Sequence, residues 1–167
     1  MTQINSAWHD KKETKIGDYG EALIKKYLED LKFICYKPVT DGSHLFDFLI
    51  YREDKSPIAV EVKTKPSRNK YPDTGFDYRH YLRYKRYTEE TNTRMIIYFV
   101  DSIKGEIYGN YLDELDKPRR SQNISYPRDE YIGGREIRYF PLEAMKKIRD
   151  LTDNEKFELQ RLHKLAC

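Results

Sequence analysis

Two runs decide how this chain of 167 residues is read: Leu45-Phe46-Asp47-Phe48-Leu49-Ile50-Tyr51 and Ile58-Ala59-Val60-Glu61-Val62-Lys63-Thr64. Both are strand-like, and the polar stretch Arg52-Glu53-Asp54-Lys55-Ser56-Pro57 between them makes the pair a β-hairpin. Setting Phe48 across from Val60 also sets Phe46 against Val62 and Ile50 against Ile58, all on one apolar face. The same register puts Asp47 opposite Glu61 on the other face, with Cβ atoms about 5 Å apart, where like charges destabilise. Two carboxylates facing each other in mid-sheet call for something positive between them, and a hard divalent cation with oxygen ligands is the economical answer. Lys63 projects from the same face one step along. Metal, carboxylates and an ammonium are the groups that phosphodiester hydrolysis requires.

Upstream of the hairpin, Ala22, Leu23, Ile24, Tyr27, Leu28 and Leu31 predict a helix over 16–31, with Gly17 and Gly20 marking its start. Glu21 falls about 20° from Leu28 on that helix, and Ile24 and Leu31 share the stripe. A carboxylate there is either paired or metal-bound, because burial is otherwise costly, or a first-turn residue favoured by the helix dipole. Phe33 to Lys37 reads as a short strand, closed by Pro38 and the turn-like Thr40-Asp41-Gly42-Ser43.

Downstream, an irregular basic segment after Pro66 precedes a helix over 78–91. Met95 to Val100 has the composition of a buried strand, and Glu106 to Tyr111 pairs with it across Ser102-Ile103-Lys104-Gly105. The stretch 117–134 is rich in Pro, Arg, Ser, Asn and Gly and reads as a long mobile loop; with Arg119, Arg120 and Arg128 it either closes on a polyanion or is plain surface. Glu136 to Phe140 is a last strand, followed by helices over 142–151 and 154–165. Thr152 and Glu155 have capping-box spacing for the second. The expected architecture is an α/β domain with a mixed β-sheet core flanked by helices. Its expected parts are an N-terminal arm over 1–14, a core over 15–140 and a C-terminal helical extension of the same domain over 141–167.

The formal net charge of +3 is modest, but between Val62 and Thr88 eight basic residues stand against two acidic ones, a local +6. Tyr71, Tyr78, Tyr81, Tyr84 and Tyr87 lie in the same stretch. Basic residues interleaved with aromatics suit a phosphate backbone flanked by stackable bases; the same pattern also describes a solvated helix face with core-facing tyrosines. The longest apolar run, 95–100, is too short to span a membrane, and 1–15 has no apolar signal core. Cys35 and Cys167 are the only cysteines, too few for a disulfide framework. An intracellular, cytoplasmic protein is expected. His9, His44, His80 and His163 show no zinc-ligand spacing, although His44 stands three residues before Asp47. There is no Gly-rich phosphate loop.

At Gly17-Asp18-Tyr19-Gly20-Glu21, Phe46-Asp47-Phe48 and Val60-Glu61-Val62-Lys63-Thr64 the sequence resembles the PD-(D/E)XK nuclease superfamily, with its restriction-endonuclease-like fold. The ordered set of helix Glu, strand Asp, strand Glu-x-Lys, then helix and strand carries the resemblance, which spans about 15–100. It implies that Asp47 and Glu61 ligate Mg²⁺ or Mn²⁺, helped by the Val62 carbonyl, that Lys63 positions the attacking water, and that Glu21 fills an accessory carboxylate role. Many members carry Gln or Tyr on the helix after Glu-x-Lys; here there is no Gln, and Tyr81 or Tyr84 is the substitute. Lys65 and Arg68, by position, are phosphate contacts near the scissile bond, with Arg79, Tyr81, Arg83, Tyr84, Lys85 and Arg86 extending the nucleic-acid surface. The expected function is metal-dependent hydrolysis of DNA by an endonuclease or resolvase-like enzyme. The alternative is a catalytically silent nucleic-acid-binding module on the same fold, and RNA as substrate stays open. A one-site domain of this size often needs a homodimer to cut both strands, with the helices over 142–165 as contact surfaces.

Overall fold

The computed structural model describes residues 12–39, 44–53 and 55–164. The expected turn at 40–43 lies outside them, as do His9 and Cys167. So does most of the expected arm, whose last three residues are already helical.

The chain runs α1 (Lys12–Asp30), β1 (Ile34–Tyr36), β2 (Phe48–Tyr51), β3 (Ile58–Thr64), β4 (Asp73–Asp77), α2 (Tyr78–Thr91), β5 (Met95–Asp101) and β6 (Glu106–Tyr111). It continues through α3 (Leu112–Leu115), β7 (Arg119–Ser121), β8 (Ile124–Tyr126), β9 (Arg128–Ile132), β10 (Arg135–Pro141), a 3₁₀ turn (Leu142–Ala144), β11 (Lys146–Asp150) and α4 (Asp153–Lys164). Six strands form the main sheet in the order β1-β2-β3-β5-β6-β11. Its neighbours are antiparallel except β3 and β5, which run parallel. The mixed α/β architecture is therefore present. No described helix is long and apolar enough to cross a membrane.

Period-two alternation along β3 and β5 sorts the core into two layers. Val60, Val62, Tyr98 and Val100 face Ile24 and Leu28 of α1 and Leu159 of α4. Ala59, Ile97 and Phe99 face Tyr81 and Tyr84 of α2, with Phe76 and Phe140 from a second, three-stranded sheet β4-β10-β9. At Gly20 the first layer closes tightly: a Cβ there would lie 1.8 Å from Thr64 Oγ1, so glycine is what lets α1 lie against β3. Glycine at 17 and 20 thus sits inside the helix rather than marking its start. Leu31, placed by periodicity on the buried stripe, is 44% exposed because the helix ends at Asp30.

The hairpin register has Phe48 against Val60 and Ile50 against Ile58. It departs from expectation at Phe46. The ladder stops at Phe48, and Phe46 turns into the opposite layer, its ring 5.0 Å from that of Tyr87. The 46–62 and 47–61 rungs do not form; the Asp47 N–H donates to the Val60 carbonyl instead, at 3.0 Å.

Three further expectations are overturned. Asp73-Thr74-Gly75-Phe76-Asp77, inside the segment read as irregular, is a strand held by pairing with β10, its polar and glycine-rich composition hiding it from propensity. The stretch 117–134 is not a mobile loop. It holds the hairpin β7–β8 and strand β9, with positive φ at Gln122 and Asn123, and at Gly133 and Gly134, making the reversals. Finally, 142–151 is not a helix. Only 142–144 form a 3₁₀ turn, and Lys146–Asp150 add to β6 with a register shift between Lys147 and Arg149. The backbone groups of β6 demand partners, and that tertiary requirement overrides local helix propensity. The C-terminal extension therefore carries one helix, α4, whose capping box forms: Glu155 N–H to Thr152 Oγ1 at 3.3 Å and Thr152 N–H to Glu155 Oε2 at 2.8 Å.

Candidate active site

The site lies where β2 gives out and β3 runs on. Along β3 the N–H of Ala59 donates to Arg94 O and that of Lys65 to Val100 O, so alternate residues face β5. Val60 and Val62 then present their backbone groups toward β2. Beyond Phe48 no strand remains on that side to receive Val62, and Asp47 takes over: Val62 N–H donates to Asp47 Oδ2 at 2.7 Å. The Val62 carbonyl points the same way.

Glu61 is buried, 6% exposed, with its neighbour Lys63 half-buried. Lys63 Nζ pairs with Glu61 Oε1 and donates to Tyr84 Oη at 3.1 Å. The Tyr84 hydroxyl donates to the same Glu61 oxygen at 2.7 Å. Burial and the neighbouring Glu61 charge push the Tyr84 phenol well above its ordinary range, so it remains a donor. The geometry selects Tyr84, not Tyr81, as the helix residue that reaches the carboxylates. Tyr81 bonds Asp116 at 2.7 Å, away from Glu61.

Asp47 is strongly perturbed as well. Burial first, then the charges of Glu61 and Glu21, push its carboxyl up to about 8; the Val62 N–H and Lys63 oppose the rise only in part. Glu21 does converge on this region from α1, half-buried and bonded by Lys37 Nζ at 2.7 Å. Although burial lowers the Lys37 pKa, the hydrogen bond and charge of Glu21 raise it overall.

Lys37 was not singled out by sequence, because its partner lies 16 residues away and only the packing of α1 beside β1 joins them. His80, one turn before Tyr84 on α2, has no zinc-ligand spacing but stands beside the site. Its ring lies 6.2 Å from that of Tyr84, and burial followed by the charge of Lys63 lowers its pKa. The i, i+4 spacing to Tyr84 was the available signal.

The expected nucleic-acid surface divides. The rings of Tyr81 and Tyr84 are each 4% exposed, so neither can stack on a base. Five of the eight basic residues between 62 and 88 are already ion-paired: Lys63 with Glu61, Arg68 with Asp73 and Glu130, Arg79 with Asp77, Lys85 with Asp116 and Arg86 with Glu90. Arg68 is fixed by Asp73 at 2.6 Å through both Nε and Nη2, a bidentate pair that leaves little freedom to reach a phosphate. Arg79 and Arg86 keep exposed guanidinium groups despite their partners. Lys65 and Arg83 have no ion pair among the described residues. Burial, then the charges of Lys63 and Arg68, lower the Lys65 ammonium to about 8.

Among the described residues no three His, Cys, Asp or Glu side chains converge as a ready-made metal cage. Glu61 is engaged by Lys63 and Tyr84, and Glu21 by Lys37. What the cluster does offer is two carboxylates and one carbonyl. That donor set suits a cation that takes one or two carboxylates and keeps several waters.

No protein-family model and no curated protein matches the chain. Among solved structures it is similar to D212, a nuclease from a fusselovirus, at 10% identity over 86% of each chain with a TM-score of 0.42. A likeness of that size does not assign the chain to a family.

Proposed function

We propose that this protein is a divalent-metal-dependent nuclease that hydrolyses DNA, built on a restriction-endonuclease-like core of the PD-(D/E)XK type. The observation that carries the reading is geometric: where β2 ends, Asp47 caps the Val62 N–H at 2.7 Å beside the buried carboxylate of Glu61, and the charges of Glu61 and Glu21 both act on it. Natural sites that crowd carboxylates in this way favour whatever restores their charge. Asp47, Glu61 and the Val62 carbonyl would hold Mg²⁺ or Mn²⁺, with Glu21 in an accessory place; when bound, the ion supplies a Lewis acid for the phosphate.

The chain's own groups divide the rest of the work. Lys63 orients the attacking water and offsets the charge that gathers on the phosphate oxygens as the water oxygen bonds to phosphorus. The bond from phosphorus to the leaving sugar oxygen breaks; the attacking water releases one proton to solvent and the leaving oxygen takes one up. Tyr84 donates to the same Glu61 oxygen that Lys63 pairs with and accepts from the ammonium, so it would hold the carboxylate and Lys63 together.

The test is incubation with supercoiled, linear, single-stranded and branched DNA, and with RNA, each in Mg²⁺, Mn²⁺ or EDTA. Cleavage of at least one DNA form in Mg²⁺ or Mn²⁺, and none in EDTA, is expected. Tight binding with no cleavage of any substrate transfers the fold to a binding role, and cleavage confined to RNA corrects the substrate.

A further inference from the structure

The hairpin of β9 and β10 outruns the sheet that supports it. β10 pairs with β4 from Pro141 to Ile137, where β4 ends at Asp77 and the chain turns into α2. β9 continues past that point, pairing Tyr131 with Glu136 and Ile132 with Arg135. These two outer rungs and the Gly133-Gly134 reversal form a two-stranded ribbon standing clear of the third strand. Both glycines have positive φ, 57° and 79°, which keeps the reversal to two residues without side-chain bulk. Two rungs and a turn project roughly 10 Å, close to the depth of the DNA major groove, which is wide enough for a two-stranded ribbon.

The chemistry of the tip is unusual for solvent. Tyr131 is 78% and Ile132 49% exposed. Arg135 is exposed and makes no ion pair among the described residues, while the acids behind it are neutralised: Asp129 by Arg138 and Glu130 by Arg68 and Arg128. Glu136, opposite Tyr131, is the acid the tip itself carries. The root of the ribbon is tied to the segment that follows β3. Glu130, two residues before Ile132, accepts from Arg68 Nη1 at 2.7 Å. The Arg68 charge in turn acts on Lys65, as does that of Lys63. Arg68, held by Asp73 and Glu130 together, thus ties the root of the hairpin to the segment that follows β3.

We infer that the β9–β10 hairpin is a wing that enters a groove of the nucleic acid flanking the cleavage point, Tyr131 and Ile132 contacting base edges or sugars and Arg135 a phosphate. The inference rests on the nuclease reading for its partner, but not for its geometry. A second copy of the chain docked on Tyr131 and Ile132 is the competing occupant; Arg135 at the tip, without an ion pair among the described residues, and the neutralised Asp129 and Glu130 behind it favour a polyanion.

The full-length protein tests it through two variants, Tyr131→Ser with Ile132→Ser, and Arg135→Ala. All three side chains lie beyond β4, so melting temperatures should match wild type. Affinity for a 30-base-pair duplex is measured in Ca²⁺ over a salt series, with sedimentation of each protein alongside. The double variant should bind about fivefold or more weakly. Arg135→Ala should make the log–log salt slope shallower by about 0.9. Wild type that binds and cuts, with both variants binding like it, overturns the wing and leaves the nuclease reading standing. Wild type that binds no nucleic acid overturns both. A wild-type dimer that the double variant converts to monomer, with DNA affinity unchanged, overturns the wing in favour of self-association.

Discussion

The Tyr84 hydroxyl of α2 lies 2.7 Å from Oε1 of Glu61 on β3, sharing that oxygen with Lys63. One bond thus ties α2, the helix in the connection between the parallel strands β3 and β5, to the acidic centre of the sheet. Tyr84→Phe keeps the ring, which packs 5.7 Å from Phe76, and removes only the donor. Loss of a buried hydrogen bond to a charged group should cost about 1.5–3 kcal/mol, or roughly 5 °C in melting temperature for a chain of this size. Thermal melts with and without Mg²⁺ check it. An unchanged melting temperature in both would mean that the phenol does not hold Glu61.

Asp47 makes stability depend on pH in a defined direction. Its folded pKa, about 8, is raised above the ordinary 3.8. The folded state therefore holds a proton that the unfolded chain has lost, and the corresponding stability is full below about pH 4 and is lost as pH rises toward 8. Asp47→Asn keeps an acceptor for the Val62 N–H and removes the titration. At pH 8 the metal-free variant should exceed wild type by at least about 1.4 kcal/mol, the worth of one pKa unit, and the two should converge near pH 4. Millimolar Mg²⁺ or Mn²⁺ should raise the wild-type melting temperature by binding the folded state and leave the variant unmoved. Urea titrations across that pH range decide the matter; parallel curves for the two proteins would remove the carboxylate repulsion from the account.

Gly20 offers a test of how α1 is seated. Alanine is the better helix former by about 1 kcal/mol, yet its Cβ would meet Thr64 Oγ1 at 1.8 Å. Overpacking of this kind costs about 1–3 kcal/mol, so Gly20→Ala should destabilise. Adding Thr64→Ala should restore most of the loss, by a coupling visible in a double-mutant cycle. A single variant more stable than wild type would show that α1 stands further from β3.

The candidate site was legible where the chain is regular. Alternation along 58–64 and the pairing of Phe48 with Val60 follow from apolar periodicity, and the structure has that register. Regularity fails at Phe46, where the strand ends before the pattern does; the Asp47–Glu61 neighbourhood survives because Asp47 caps Val62 rather than completing a rung. Lys37 and the choice of Tyr84 over Tyr81 were not readable, since each depends on how two elements pack. The second sheet was hidden for a different reason. β4 and β9 are polar strands whose order comes from β10, and the Gly133-Gly134 turn signal stands inside a stretch whose Pro, Arg, Ser, Asn and Gly content is that of a loop. The basic count between 62 and 88 misled as well, because acids distant in sequence, Asp116 and Glu130, neutralise part of it.

The most direct test of the central claim is cleavage against affinity for Lys63→Ala. Lys63 is placed beside Glu61 and Tyr84, where the proposed mechanism has it act mainly on charge developing in the transition state. Its removal should lower DNA cleavage in Mg²⁺ by roughly 100-fold or more, because charge stabilisation of this kind is worth about 3 kcal/mol. Affinity measured in Ca²⁺ should stay within a few-fold. A variant that cuts at the wild-type rate, or one whose cleavage falls only in step with its affinity, contradicts the account.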